Sequence, residues 1–160
     1  MESAIKLLRD DGLYYNPTDA LLYQEIAWIF HDKIGKSVDE AHWHYKQVWA
    51  ERVESIIGRH PDWAALIDPT TPEQRRIADR LRGELKMDPG VMREIDELYG
   101  PFDWRLPDAH ALYWAHFGLK KVKRNRIVLD RAIWQSLLQS FRQGRVIENY
   151  VDRTFELGPN

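Results

Sequence analysis

The chain has 160 residues, of which 44% are hydrophobic and 30% charged, enough apolar mass to fold around a core. Its 23 basic and 25 acidic residues nearly cancel, so no global field draws it to nucleic acid or to an anionic membrane. It contains no cysteine, which excludes disulfides, thiolate zinc sites and a cysteine nucleophile.

From Ser3 to Tyr15 the apolar residues Ala4, Leu7, Leu8 and, less cleanly, Ile5 recur at three- and four-residue spacing, which predicts a helix with one buried face and its end close to Gly12. Asn16, Pro17, Thr18 and Asp19 form a turn, and Thr18 or Asp19 can cap a second helix from Ala20 to about Ile34, buried through Leu22, Ile26, Ala27, Ile29 and Phe30. Gly35 suits its end. Ser37 or Asp39 can start a third helix that carries Ala41, Tyr45, Val48, Trp49, Val53 and Ile56 to Gly58.

His60 to Pro72 is punctuated by three prolines and is expected to be a connector with one short helical turn around Trp63, Leu66 and Ile67. Helices follow from Pro72 to Leu85 and from Asp88 to Tyr99, the second with Pro89 where a missing N–H costs little. Gly100 and Pro101 end it. Beyond the segment Phe102 to Leu106, Pro107 and Asp108 open a helix to Leu119, with Asp108 expected to cap it and to favour its dipole. A last helix spans Ile127 to Gln143 and presents Leu129, Ala132, Ile133, Leu137, Leu138 and Phe141. The tail 145–160 fits a short helix and an extended segment equally well. The fold class expected is therefore all-α, one helical domain in three parts: 1–58, 59–106 and 107–160. No apolar run approaches the roughly 20 residues of a membrane helix, so a soluble chain with no membrane partner is expected, in a compartment the sequence does not specify.

Leu22, Ala27, Phe30, Gly35, Asp39, Glu40, Ala41 and Tyr45, with Trp49 or Ala50, resemble a tetratricopeptide repeat, whose helix-turn-helix unit recurs every ~34 residues. Ala4 to Leu8, followed by Tyr14 to Thr18, look like the second helix of a preceding repeat with its closing proline, and Asp108 to Gly118 with Arg131 to Trp134 form a weaker third match. The resemblance implies antiparallel helical hairpins, an α-solenoid fragment. It further implies an interaction or scaffold role toward a protein or peptide; separately, no cofactor is expected. An opening helix without its mate leads to the expectation that the chain is part of a larger repeat protein. Its free face would then meet flanking repeats of a parent chain, or serve self-association.

Candidate chemistry is sparse, and no catalytic residue is assigned. His42 and His44 are two positions apart, which turns the imidazoles about 200° away from each other. Asp39 and His42 are better spaced, and His31 could approach from the preceding helix to complete a zinc-like site, the basis of a minor metal-enzyme reading. Asp103 and Asp108 lie near His110 and His116, a pairing that general acid–base chemistry uses, although a structural role fits all four. Gly100 to His110 is either an elbow pinning two helical pairs or a pocket that engages a partner through Trp104 and Arg105. Lys120, Lys121, Lys123, Arg124 and Arg126 form one basic run, which complements a helix C-terminus. It could alternatively contact nucleic-acid phosphates, with no aromatic residues interleaved for stacking. Seven tryptophans are many for this length. Trp28, Trp49, Trp114 and Trp134 lie within expected helices and should fill hairpin interfaces, and any left exposed in one concave groove would mark the binding surface.

Overall fold

The computed structural model describes residues 2–34 and 42–142, so the expectations placed on Gly35, Ser37, Asp39, Ala41 and the tail fall outside the described residues. Within them the chain is all-helical, with eight helices and no strand.

Helix α1 begins at Glu2–Lys6, widens to a π-helical stretch over Leu7–Gly12 and finishes at Leu13–Tyr15. Its buried residues are Ile5 and Arg9, whereas Ala4 and Leu7 are exposed. Of the expected face, Ile5 and the half-buried Leu8 pack on the core and Ala4 and Leu7 do not. A period counted at 3.6 residues does not carry through a stretch bonded i to i+5, and the inward position is taken by Arg9, which pairs with Asp10 at 2.6 Å and reaches the Leu85 carbonyl at 3.4 Å.

Helix α2 runs Ala20–Trp28 and continues π-helically through Ile29–Ile34. Asp19 caps it, accepting from the Leu21 N–H at 2.9 Å. Helix α3, His42–Ile57, turns Trp49, Ala50, Val53, Ile56 and Ile57 inward and ends at Gly58, whose φ of 70° is the left-handed conformation glycine supplies at such ends. Phe30 of α2 meets Trp49 of α3 edge to face, ring centres 5.0 Å apart. The connector holds the short helix α4, Trp63–Ile67, capped by Asp62. Helix α5, Pro72–Arg80 with a π-helical continuation Leu81–Leu85, opens on a capping box between Thr71 and Gln74. Asp88 caps α6, Pro89–Tyr99.

Helices α7, Pro107–Lys121, and α8, Arg126–Arg142, form a hairpin. The turn between them is shorter than the sequence suggested, because α7 extends through Lys120 and Lys121. Helix α7 lies at the centre: every residue from Pro107 to Ala115 is buried, and so is Gly118. A helix enclosed on all sides shows no apolar stripe. Helices α2, α6 and α8 pack around it, and the buried apolar residues of all three parts of the chain join in one cluster.

Gly118 sets how closely three of these helices meet. A Cβ there would lie 2.8 Å from Cβ of Tyr23 on α2 and 2.9 Å from Cδ1 of Leu129 on α8. The Tyr23 atom is fixed to its backbone and cannot rotate away, so Gly118→Val is expected to cost about 2–3 kcal/mol by overpacking. Urea unfolding of the variant against the parent chain measures it.

Candidate functional site

The segment between α6 and α7 is an elbow, and its side chains are committed inward. Asp96 of α6 accepts from the Phe102 N–H at 3.0 Å and from the Trp104 indole N–H at 3.1 Å. Asp103 accepts from the Arg105 backbone N–H at 2.9 Å and from its Nη2 at 2.7 Å, and Arg105 Nη1 reaches Glu54 of α3 at 3.2 Å. Trp104 and Arg105 are almost wholly buried. They hold the elbow against α3 and α6 and offer no surface to a partner, in place of the pocket reading.

Asp108 does not cap α7. The cap position is Leu106, whose side chain makes no capping bond, and the Asp108 carboxylate turns inward to accept from Gln139 Nε2 of α8 at 2.8 Å. Burial pushes its carboxyl up to about 7, against the opposing pull of Lys46 on α3 and of Gln139. Two residues on, His110 is fully enclosed by Phe30, Trp49 and Trp104, with Nε2 2.6 Å from the Trp104 carbonyl. Burial drives its imidazole down to about 4, so it is neutral and donates from Nε2, while Nδ1 has no hydrogen-bond partner. His116 approaches Glu94 at 3.6 Å.

The basic run is dispersed by the fold. Lys120 pairs with Glu94 at 2.6 Å, Lys121 sits over the Phe117 ring at 5.2 Å, and Arg126 donates to the Leu119 carbonyl at 2.7 Å and the Val122 carbonyl at 3.1 Å. These three cations serve the C-terminal end of α7, leaving Lys123 and Arg124 exposed in the turn. Of the suggested metal ligands, Asp39 and the His42 side chain lie outside the described residues, and His31 has Nδ1 2.8 Å from Asp32 Oδ1. Among the described residues no three histidine or carboxylate side chains converge as metal ligands would.

The surface feature that stands out is a groove of about 490 Å³ between α2 and α8, lined on one wall by Gln24, Glu25 and Trp28 and on the other by Val128, Arg131 and Gln135, with His31 and Ser136 deeper along it. The two helices are parallel. Gly118 touches both Tyr23 and Leu129 at one end, and at the other Gln139 Nε2 lies 3.4 Å from the His31 carbonyl. Trp49, Trp104 and Trp114 are buried, whereas Trp28 on the α2 wall of the groove and Trp134 on the outer side of α8, away from the groove's lining, stay 43% and 66% exposed. Trp28 and Trp134 thus do not fill hairpin interfaces as expected. Their neighbour α7 decides it, by taking the opposite faces of both helices.

No protein-family model, curated protein or solved structure matches the chain.

Asp108 and His110 pull stability in opposite directions with pH. Asp108 has a folded pKa above its unfolded value of 3.8, so its contribution is complete below pH 3.8 and is lost as pH rises through about 7. His110 has a folded pKa below 6.5, so its contribution is complete above pH 6.5 and is lost as pH falls through about 4. Asp108→Asn removes the first dependence only. The variant is expected to be more stable than the parent at pH 8 and to lose up to about 4 kcal/mol of that advantage by pH 4, measured by urea unfolding across the range.

Proposed function

We propose that the chain is an interaction module, a tetratricopeptide-like set of helical hairpins whose groove between α2 and α8 receives an amphipathic helical segment of a protein. The observation that carries this reading is the groove between two parallel helices with the exposed indole of Trp28 on its wall, and a second exposed indole, Trp134, on the outer side of α8. Burying a tryptophan contributes strongly to association, and a groove between two helices is the setting in which a third helix lays its apolar face. The hairpin contacts Phe30 to Trp49 and α7 to α8 accord with the repeat-like architecture. The groove walls are mixed in character, with Glu25 and Arg131 beside Ala27 and Ala132, which suits an apolar stripe flanked by charge.

Selection of a displayed peptide library against the purified chain tests the reading. Enriched peptides should carry apolar residues at i, i+4 and i+7, and the double variant Trp28→Ala/Trp134→Ala should bind them at least tenfold more weakly, a loss of about 1.4 kcal/mol or more. Peptides that bind the double variant as well as the parent would remove the groove from consideration.

A further inference from the structure

The outward faces of α2 and α8, opposite the sides that meet Gly118, repeat the same pattern. On α2 the outermost residues are Leu21, Glu25 and Trp28, and on α8 they are Ile127, Arg131 and Trp134, in both cases at i, i+4 and i+7. Leu21 is 51% and Ile127 59% exposed. Each pair, Leu21 with Ile127, Glu25 with Arg131 and Trp28 with Trp134, has the sequence separation of Tyr23 and Leu129, which Gly118 places at one level along the parallel helices. The face therefore carries an aliphatic pair at one end, an indole pair about 10 Å further along, and an acid opposite a base between them. Among the described residues neither Glu25 nor Arg131 has a hydrogen-bond or ion-pair partner.

We infer that this face docks a second copy of the chain, about a two-fold axis running along the groove parallel to the helices. The inference rests on the groove being an interaction surface, and it names the partner. A two-fold axis along the groove lays α2 of each copy on α8 of the other at unchanged level, so that Leu21 meets Ile127, Trp28 meets Trp134 and Glu25 meets Arg131 of the second copy, twice over. A two-fold axis across the helices would instead lay α2 on α2 and bring Glu25 against Glu25 and Arg131 against Arg131. The charge pair is self-complementary in the first arrangement and repulsive in the second. Other charges close to the face do not disturb this: Lys33 is held over the Trp28 ring at 5.2 Å, and Asp130 acts toward Tyr99 of α6.

Sedimentation equilibrium between micromolar and several hundred micromolar chain reads the outcome. The parent chain is expected to dimerise. Glu25→Arg and Arg131→Glu, both at exposed positions, should each weaken the dimer at least tenfold while circular dichroism stays unchanged, and the double exchange E25R/R131E should restore it. A parent chain that stays monomeric throughout, single variants that dimerise as the parent does, or a double exchange that fails to recover would each overturn the inference. A monomer whose selected peptides still depend on Trp28 and Trp134 would overturn self-association and leave the interaction role standing, whereas loss of that dependence would take both.

Discussion

The enclosure of α7 on all sides is the constraint on which the remaining structure depends. A helix with neighbours all round must present small residues where those neighbours approach and must satisfy every polar group it carries. Ala109, Ala111, Ala115 and Gly118 meet the first requirement. Three polar side chains answer the second by each binding a different element, with His110 Nδ1 left over: Asp108 to Gln139 of α8, His110 Nε2 to the Trp104 carbonyl of the elbow, and the Tyr113 hydroxyl to the Asp88 N–H at the start of α6. One central helix thereby fixes the positions of two others and of the elbow through single hydrogen bonds as well as through packing.

The groove follows from this arrangement. Both α2 and α8 run antiparallel to α7, since Gly118 lies between Tyr23 and Leu129 while Asp108 lies by Gln139 and the carbonyl of His31. Two helices antiparallel to a third are parallel to each other, and α2 and α8 belong to distant parts of the chain. Their outer faces are left without a covering helix among the described residues, and that is where Trp28 and Trp134 emerge.

Punctuation was the most legible level of the sequence. Asp19, Asp62, Thr71 and Asp88 each act as caps, all four just ahead of a proline or an apolar run, and Gly58 and Gly100 stand at helix ends. Such signals are local, so a single sequence contains them in full. Phase was less legible. In α1 the spacing holds at Ile5 and Leu8 and misses at Ala4 and Leu7, and in α7 there is no face to find. Asp108 was misread for a related reason, because an acid after Pro107 looks like a cap until α8 supplies Gln139. The groove depends on α2 meeting α8, a long-range pairing that no periodicity encodes. Large apolar residues at i and i+7 lie off the buried stripe of each helix, Leu21 with Trp28 and Ile127 with Trp134, and they mark the outward faces rather than the groove itself.

The placement of charge separates the interior from that outer face. At the buried end of α7, Asp108 is held toward its neutral form and His110 is neutral, so the core there is kept from enclosing unpaired charge. The exception is Arg105, and it is bracketed by Asp103 and Glu54. At the other end, Lys120, Lys121 and Arg126 gather where the carbonyls of α7 end and water is at hand. Against this background of charges neutralised, paired or placed at a helix terminus, Glu25 and Arg131 are different. They lie at one level on the two rims of a groove, of opposite sign and without an intramolecular bond to each other or to other described residues. In water such a pair contributes little to stability; its effect begins when another surface excludes that water, and then it discriminates between one orientation of the arriving surface and the reverse.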